Sequence, residues 1–119
     1  MRKLLLTLFF ILFALPVYAL ELLMAHNPNC HICNKFMLEV AQDYNDTEEG
    51  KILPLIIIDV FEQPEWFKEA YRLKKIKTIR GTPTFIIWNG RKELHRIVGY
   101  RDKERFYRRL QPYIEAYGK

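Results

Sequence analysis

Cys30 and Cys33 are the only two cysteines in this chain, and they stand in the sequence Cys-His-Ile-Cys. An apolar run at residues 20–25 precedes them and is typical of a short strand, residues 26–29 have the composition of a turn, and apolar residues follow at helical spacing. The pattern therefore predicts that Cys30 lies at the start of a helix, where unpaired N–H groups and the helix dipole stabilise an anion. Two thiols at this spacing can exchange electrons as a pair with a disulfide.

The predicted helix makes the two thiols unequal. Cys33 lies one turn beyond Cys30, on the face that carries Phe36 and Val40, so we expect it to be buried and close to an ordinary thiol. A thiol with a pKa near 8.5 is only about 3% ionised at pH 7, whereas a pKa of roughly 6 makes it about 90% ionised. We therefore expect Cys30 to act as the nucleophile and Cys33 to act second.

Closely spaced cysteines have three other common roles. A structural disulfide between these two would close so small a loop that it would stabilise the fold little. Zinc could be held by the two thiols together with His26 and His31, but the sequence contains no second Cys-x-x-Cys and no His-x-x-x-His pair. Covalent haem attachment needs a histidine directly after the second cysteine, where Asn34 stands. The sequence therefore favours redox chemistry with no metal and no other cofactor.

The N-terminal residues have the pattern of a secretory signal. Two basic residues are followed by a mainly apolar run at residues 4–15 and by a small residue, Ala19, that suits cleavage. We predict a signal peptide over residues 1–19 and a single domain over residues 20–119, located in the periplasm or another extracytoplasmic compartment. An uncleaved membrane anchor is the alternative, although Pro16 and the brevity of the apolar run argue against a spanning helix.

The charge pattern argues against one class of partner. Removal of the signal would lower the formal net charge from +5 to +3, because two of the 19 lysines and arginines and none of the 14 acidic residues would be lost. Several of the remaining basic residues alternate with aromatic residues near the C-terminus, which is typical of a solvated helix face. We therefore expect no binding of nucleic acid. We also expect the protein to be a monomer.

The rest of the chain predicts a mixed sheet flanked by helices. Three further apolar runs are typical of strands, and the Asn89-Gly90 pair between the last two favours a tight antiparallel turn. The first of these runs, at residues 52–58, is continuous and predicts a strand that is buried on both faces. Strands are predicted at residues 52–58, 84–88 and 94–98, a polar loop at 45–51, and helices from Pro64 to Lys75 and after the capping residue Asp102. The predicted fold is an α/β domain of order β-α-β-α-β-β-α with a four-stranded mixed sheet.

This order resembles the thioredoxin superfamily, and the string Ile-Arg-Gly-Thr-Pro-Thr-Phe at residues 79–85 is nearly the string that thioredoxins carry around a cis-proline. The resemblance implies a minimal thioredoxin-like fold without the strand and helix that open a full-length thioredoxin. It implies that the Thr82–Pro83 bond is cis, although an X-Pro bond in a folded protein is cis only about 5–6% of the time. It also implies that Pro83 packs beside the cysteines and that the Thr82 backbone pairs with a substrate chain as an added strand.

A narrower resemblance concerns the strings PNCHIC, PLIIID and RIVGY, which are similar to short periplasmic thioredoxin-like proteins of the SoxS type, associated with bacterial sulfur oxidation. Met24 stands where thioredoxins have a buried aspartate, and Asp59 is expected to cap a loop rather than to act as a base. His31 also departs from the thioredoxin pattern. When protonated, His31 could stabilise the Cys30 thiolate; the alternative is a solvent-facing side chain with little effect.

The resemblance implies an exported thiol–disulfide oxidoreductase. Cys30 and Cys33 would be catalytic, Thr82 and Pro83 would bind the substrate, and the partners would be client proteins that carry disulfides or thiols. The SoxS-type resemblance favours a reductant or transferase supplied by a membrane electron-donor protein. The alternative is a non-catalytic binding module, or a copper or zinc carrier that uses the same cysteine pair.

Overall fold

The computed structural model describes residues 19–118, so the predicted signal peptide lies outside the described residues except for Ala19. None of the helices in this range combines the length and the hydrophobicity that a membrane span requires. The strands are β1 (Glu21–His26), β2 (Leu55–Asp59), β3 (Thr84–Trp88) and β4 (Glu93–Val98). Helix α1 comprises His31–Phe36, a π-helical segment at Met37–Ala41 and Gln42–Tyr44, and it is followed by α2 (Glu48–Ile52), α3 (Glu65–Arg72) and α4 (Lys103–Tyr117).

The strands form one mixed sheet in the order β2-β1-β3-β4. Strand β1 pairs in parallel with β2 and antiparallel with β3, and β3 pairs antiparallel with β4. The fold class predicted from the sequence is therefore confirmed. Because β1 lies inside the sheet and ends at His26, the cysteines that follow it emerge at the carboxyl end of a central strand, where α/β proteins commonly bind their ligands.

A short helix replaces part of a segment that the sequence predicts to be a loop. Residues 45–51 are polar, but Glu48–Ile52 form α2. Thr47 caps its start, because its Oγ1 accepts a hydrogen bond from the Gly50 N–H at 3.0 Å, and two glutamates in the first turn suit the positive end of the helix dipole. A threonine followed by acidic residues indicates the start of a helix, whereas the polar composition of the segment favours a loop.

Strand β2 is shorter and more exposed than the sequence predicts. It begins at Leu55 rather than at the predicted Ile52, because Ile52 still belongs to helix α2. Its position at the edge of the sheet leaves Ile57 36% exposed, so the prediction of burial on both faces is wrong. A continuous apolar run does not distinguish a central strand from an edge strand.

Two apolar layers hold the helices against the sheet. Alternate residues of β1 face opposite sides, so Met24 packs in the layer under α1 and α4 while Leu23 packs in the layer under α3. At the centre of the first layer, the Phe36 ring centroid lies 4.8 Å from that of Phe85 and 5.1 Å from that of Phe106. Phe36 is one turn beyond the second cysteine, so these ring contacts fix the start of α1 over the sheet.

A largely buried ion pair on β4 anchors the segment that leads to the predicted substrate-binding residues. Glu93 accepts two hydrogen bonds from the Arg96 guanidinium, each at 2.7 Å, and a third from the Lys77 N–H at 3.1 Å. Arg96 also donates to the carbonyl oxygens of Lys77 and Thr78, at 2.9 and 3.0 Å. Because the Glu93 side chain is only 3% exposed, these bonds contribute more than a solvated ion pair would.

We predict that Glu93→Gln lowers the free energy of unfolding by about 1–3 kcal/mol at pH 7, because an uncharged amide cannot satisfy the same buried donors. Burial raises the pKa of Glu93, but hydrogen bonds from Arg96 and Lys77 outweigh it and hold the pKa below its ordinary value. The ionised form therefore stabilises the fold above the unfolded-state pKa of about 4.3, and this contribution is lost as pH falls through the lower folded-state pKa. Denaturant unfolding of both proteins over this pH range measures the difference.

Glu69→Gln is the matched control, because Glu69 pairs with Arg72 at the same sequence spacing on the exposed surface of α3. It should shift the unfolding midpoint much less than Glu93→Gln does. Equal shifts at pH 7 would contradict the anchoring role of Glu93.

Candidate active site

Cys30 caps the N-terminal end of helix α1. Its backbone is extended, with φ −87° and ψ 116°, and its Sγ accepts a hydrogen bond from the Cys33 N–H at 3.2 Å. The preceding turn is closed by the Cys30 N–H, which donates to the Asn27 carbonyl oxygen at 2.9 Å. The structure thus places Cys30 at a helix start, as the sequence predicts, with an N–H of the first turn directed at its sulfur.

The surroundings of the Cys30 sulfur favour its thiolate. Partial burial raises the pKa of this thiol, but hydrogen bonding with Cys33, the Thr82 side chain and the Ile32 backbone outweighs it and brings the pKa below its ordinary value. The side chain is only partly buried, so a substrate can reach the sulfur. An accessible sulfur with increased thiolate character is the nucleophile that disulfide exchange requires.

Cys33 has the opposite environment. Its side chain is fully buried in the apolar layer between α1 and the sheet. Burial raises the pKa of the Cys33 thiol, the Cys30 sulfur raises it further, and hydrogen bonds involving Asn27 and Thr82 offset these effects only in part. The pair therefore holds one accessible thiol that ionises readily and one buried thiol that keeps its proton.

A loop distant in sequence lies against the cysteine pair. The Thr82 carbonyl oxygen is 3.5 Å from the Cys30 Sγ, although 52 positions separate the two residues. The Thr82–Pro83 peptide bond is cis, and Pro83 is buried, with its carbonyl oxygen accepting a hydrogen bond from the Gly99 N–H at 2.8 Å. Within residues 19–118 the Thr82 N–H has no hydrogen-bond partner. An unpaired backbone donor therefore lies close to the reactive sulfur.

Two histidines flank the site. His31 is exposed, and the hydrogen bonds that lower the pKa of Cys30 come from other residues, so tuning by His31 stays a prediction. His26 follows Met24 by two positions on β1 and so faces the same side of the sheet, and its Nδ1 is buried with no hydrogen-bond partner among the described residues. Sequence reasoning assigned His26 no definite role, because the burial of one ring nitrogen depends on tertiary packing.

The strand before the cysteines carries no acidic group at the position where thioredoxins have a buried aspartate. Met24 occupies that position and is fully buried. The Asp59 Oδ1 accepts a hydrogen bond from the Phe61 N–H at 2.8 Å, which fits the expected role of a loop cap. In the described part of the chain, no group of three or more histidine, cysteine, aspartate or glutamate side chains is arranged to hold a metal ion.

A comparison with protein families matches residues 20–114 to the thioredoxin-like domain, and the chain therefore belongs to the thioredoxin-like domain family. Its structure is similar to the reduced periplasmic thioredoxin SoxS from Paracoccus pantotrophus, with 27% sequence identity, a TM-score of 0.66, and coverage of 81% of this chain and 96% of that one. A comparison with curated protein sequences found no match.

Two more distant structures share the fold. The thioredoxin from Malassezia sympodialis has 20% identity and a TM-score of 0.62, with 87% of this chain and 78% of that one covered. Thioredoxin f from spinach chloroplast has 21% identity and a TM-score of 0.55, with 87% and 80% covered. The resemblance to the thioredoxin superfamily and to the SoxS type is confirmed. A thioredoxin-like domain with Cys30 and Cys33 close together supports a thiol–disulfide redox role.

We predict that iodoacetamide alkylates Cys30 faster than Cys33 near neutral pH, because the pKa of Cys30 is lowered, whereas Cys33 is fully buried and its pKa is raised. The Cys30 rate should fall as pH drops through its lowered pKa. Peptide mass spectrometry of the reduced protein, labelled over pH values from about 5 to 9, measures both rates. The unfolded protein is the control, in which the two rates should converge, and faster labelling of Cys33 in the folded protein would reverse the assignment.

Proposed function

We propose that this protein is an exported thiol–disulfide oxidoreductase that reduces or transfers disulfides of client proteins. The observation that carries the proposal is the position of the Cys30 Sγ, 3.2 Å from the Cys33 N–H and 3.5 Å from the Thr82 carbonyl oxygen. This position combines a stabilised thiolate, a second thiol one helical turn away and an adjacent stretch of backbone that a client chain can pair with.

In the proposed reaction, the Cys30 thiolate attacks one sulfur of a client disulfide. A mixed disulfide forms, and the second client sulfur leaves as a thiolate and takes up a proton. Cys33 then loses its proton and attacks the Cys30 Sγ, which breaks the mixed disulfide and releases the first client sulfur as a thiolate. Two electrons have passed from the protein to the client, and Cys30 and Cys33 are joined in a disulfide.

The pKa of Cys33 gives the two steps their order. Burial raises this pKa most, and the Cys30 sulfur adds to the effect through its charge and its hydrogen bonding. When Cys30 enters a mixed disulfide it loses its charge, so its contribution to the raised pKa of Cys33 disappears. Cys33 therefore becomes easier to deprotonate only after a client is bound covalently, which protects the resting dithiol from premature ionisation of both sulfurs.

Thr82 and Pro83 form the proposed client groove. The free Thr82 N–H suits the ladder hydrogen bonding of an added strand, and the buried Pro83 shapes the backbone that presents it. A client paired there would run past Cys30, because the Thr82 carbonyl oxygen is within 3.5 Å of its sulfur. His31, which is exposed and directly follows Cys30, would add a positive charge when protonated.

Sustained reduction needs a source of electrons, because each turnover leaves the cysteines oxidised. We assign this role to a membrane electron-donor protein, which supplies two electrons to the disulfide. The similarity to a periplasmic thioredoxin and the signal-like residues 1–19 support an extracytoplasmic location.

We predict that Cys33→Ser traps clients, because it retains the attack by Cys30 and removes the thiol that resolves the mixed disulfide. Covalent complexes should accumulate in the extracytoplasmic fraction and disappear when a reductant is added, as seen on non-reducing gels. Cys30→Ser is the matched control and should capture nothing. Capture by Cys30→Ser instead would show that the two roles are reversed.

The proposed export gives a separate prediction about the N-terminus. The mature protein should begin at Leu20, because Ala19 is the small residue that a signal peptidase needs. N-terminal sequencing of the extracytoplasmic protein measures this, and Ala19→Leu should slow the cleavage. An intact Met1 on protein from the membrane fraction would establish an uncleaved anchor.

A further inference from the structure

Two grooves flank the loop that carries the proposed client site. The first has a volume of about 420 Å³ and adjoins the cysteines, since Asn27 and Thr82 both line it. The second has a volume of about 520 Å³ and lies on the side of β4, where Val98 lines it. Arg80 and Gly81 are the two residues that line both grooves, so a chain that occupies either groove passes the Arg80 side chain.

The charged side chains that line the two grooves are all basic. Among residues 19–118, Arg80 and Tyr71 are the only ionisable side chains that line the first groove, and Lys77, Arg80 and Arg96 line the second. The Arg96 charge is compensated by Glu93, whereas Arg80 is exposed and makes no hydrogen bond or ion pair with any described residue. No carboxylate lines either groove among the described residues. Arg80 is thus a free guanidinium, the side chain best suited to bind a carboxylate with two hydrogen bonds.

The backbone beside Arg80 is open to an approaching chain. A Cβ built on Gly81 would have nothing within 4 Å, so the space over this residue is empty. Arg80 precedes Thr82 by two residues, which is roughly 7 Å of extended chain at most. A client strand paired with Thr82 therefore brings side chains two or three residues from its reactive cysteine within reach of the guanidinium.

We infer that Arg80 is a specificity-determining residue that selects client chains with an aspartate or glutamate close to the reactive cysteine. This inference rests on the proposed function, because it needs a client disulfide at Cys30. The carboxylate binds the Arg80 guanidinium in the groove beside Thr82 and so aligns the client sulfur with Cys30. Electrostatic attraction of this kind acts mainly on the encounter and weakens with ionic strength.

The test uses two disulfide-linked peptides that differ only by aspartate or asparagine two residues from the cysteine. The reduced protein and, separately, dithiothreitol reduce each peptide at low ionic strength. Dividing the protein rate constant by the dithiothreitol rate constant removes the direct effect of aspartate on its neighbouring disulfide. The wild-type protein should prefer the aspartate peptide about two- to fivefold, the range of a favourable exposed ion pair, and about 0.5 M salt should remove the preference.

Two substitutions of Arg80 and one control complete the test. Arg80→Gln should bring the ratio close to one, and Arg80→Glu should reverse it. Lys92→Gln removes a positive charge at the opposite end of β3 and should keep the wild-type ratio. Equal ratios for the wild type and Arg80→Gln would overturn the inference and leave the proposed function intact. Failure of the wild type to reduce either peptide would overturn the proposed function and, with it, the inference.

Discussion

The hydrogen bond from the Cys33 N–H to the Cys30 Sγ, at 3.2 Å, is the contact on which the chemistry of the site depends. It exists because α1 begins at His31, so the N–H groups of its first turn have no acceptor within the helix. The same turn of helix carries Cys33 into the apolar layer below. One structural feature, the start of a helix over a sheet, therefore gives two identical side chains different pKa values and different exposure, and these differences set the order of the two steps in the proposed reaction.

The rest of the domain holds the two halves of the site together, which are the start of α1 with Cys30 and the loop with Thr82. On one side, the Phe36 ring contacts fix α1, and the Lys35 Nζ ties it to the segment after β4 by donating to the Arg101 carbonyl oxygen at 2.8 Å. On the other side, the Glu93–Arg96 pair holds the chain before the Thr82 loop. The 3.5 Å separation of Cys30 and Thr82 depends on both anchors, because each half is attached to a different part of the sheet.

Elements with a strong local signal could be predicted from the sequence. Strand β3 has the predicted bounds, and Asp102 caps α4 as expected, with its Oδ1 accepting a hydrogen bond from the Arg105 N–H at 2.8 Å. The capped start of α1 could also be predicted from its local sequence. The edge position of β2 and the burial of the His26 Nδ1 could not be predicted, because both depend on which elements pack together rather than on local pattern.

The candidate site also combines features that could be predicted from the sequence with features that could not. The unequal cysteines follow from residue spacing and helix electrostatics alone. The approach of Thr82 to Cys30 across the chain was expected only from the family resemblance, because no local rule links residues so far apart. Arg80 belongs to the string that carries the family resemblance, but its lack of an ion-pair partner could not be predicted, because the partners of the other charges are known only from the structure.

Titration of the cysteine pair in buffers of reduced and oxidised glutathione, with and without zinc or copper, distinguishes redox exchange by Cys30 and Cys33 from metal binding by the same pair. We expect one reversible two-electron couple, in which the potential changes by about 30 mV for each tenfold change in the ratio of disulfide to dithiol. The oxidised product should contain an intramolecular Cys30–Cys33 disulfide, and metal should leave the curve unchanged. A metal bound at a stoichiometric ratio that blocks alkylation of both thiols, or a failure to form the intramolecular disulfide at any ratio, would contradict it.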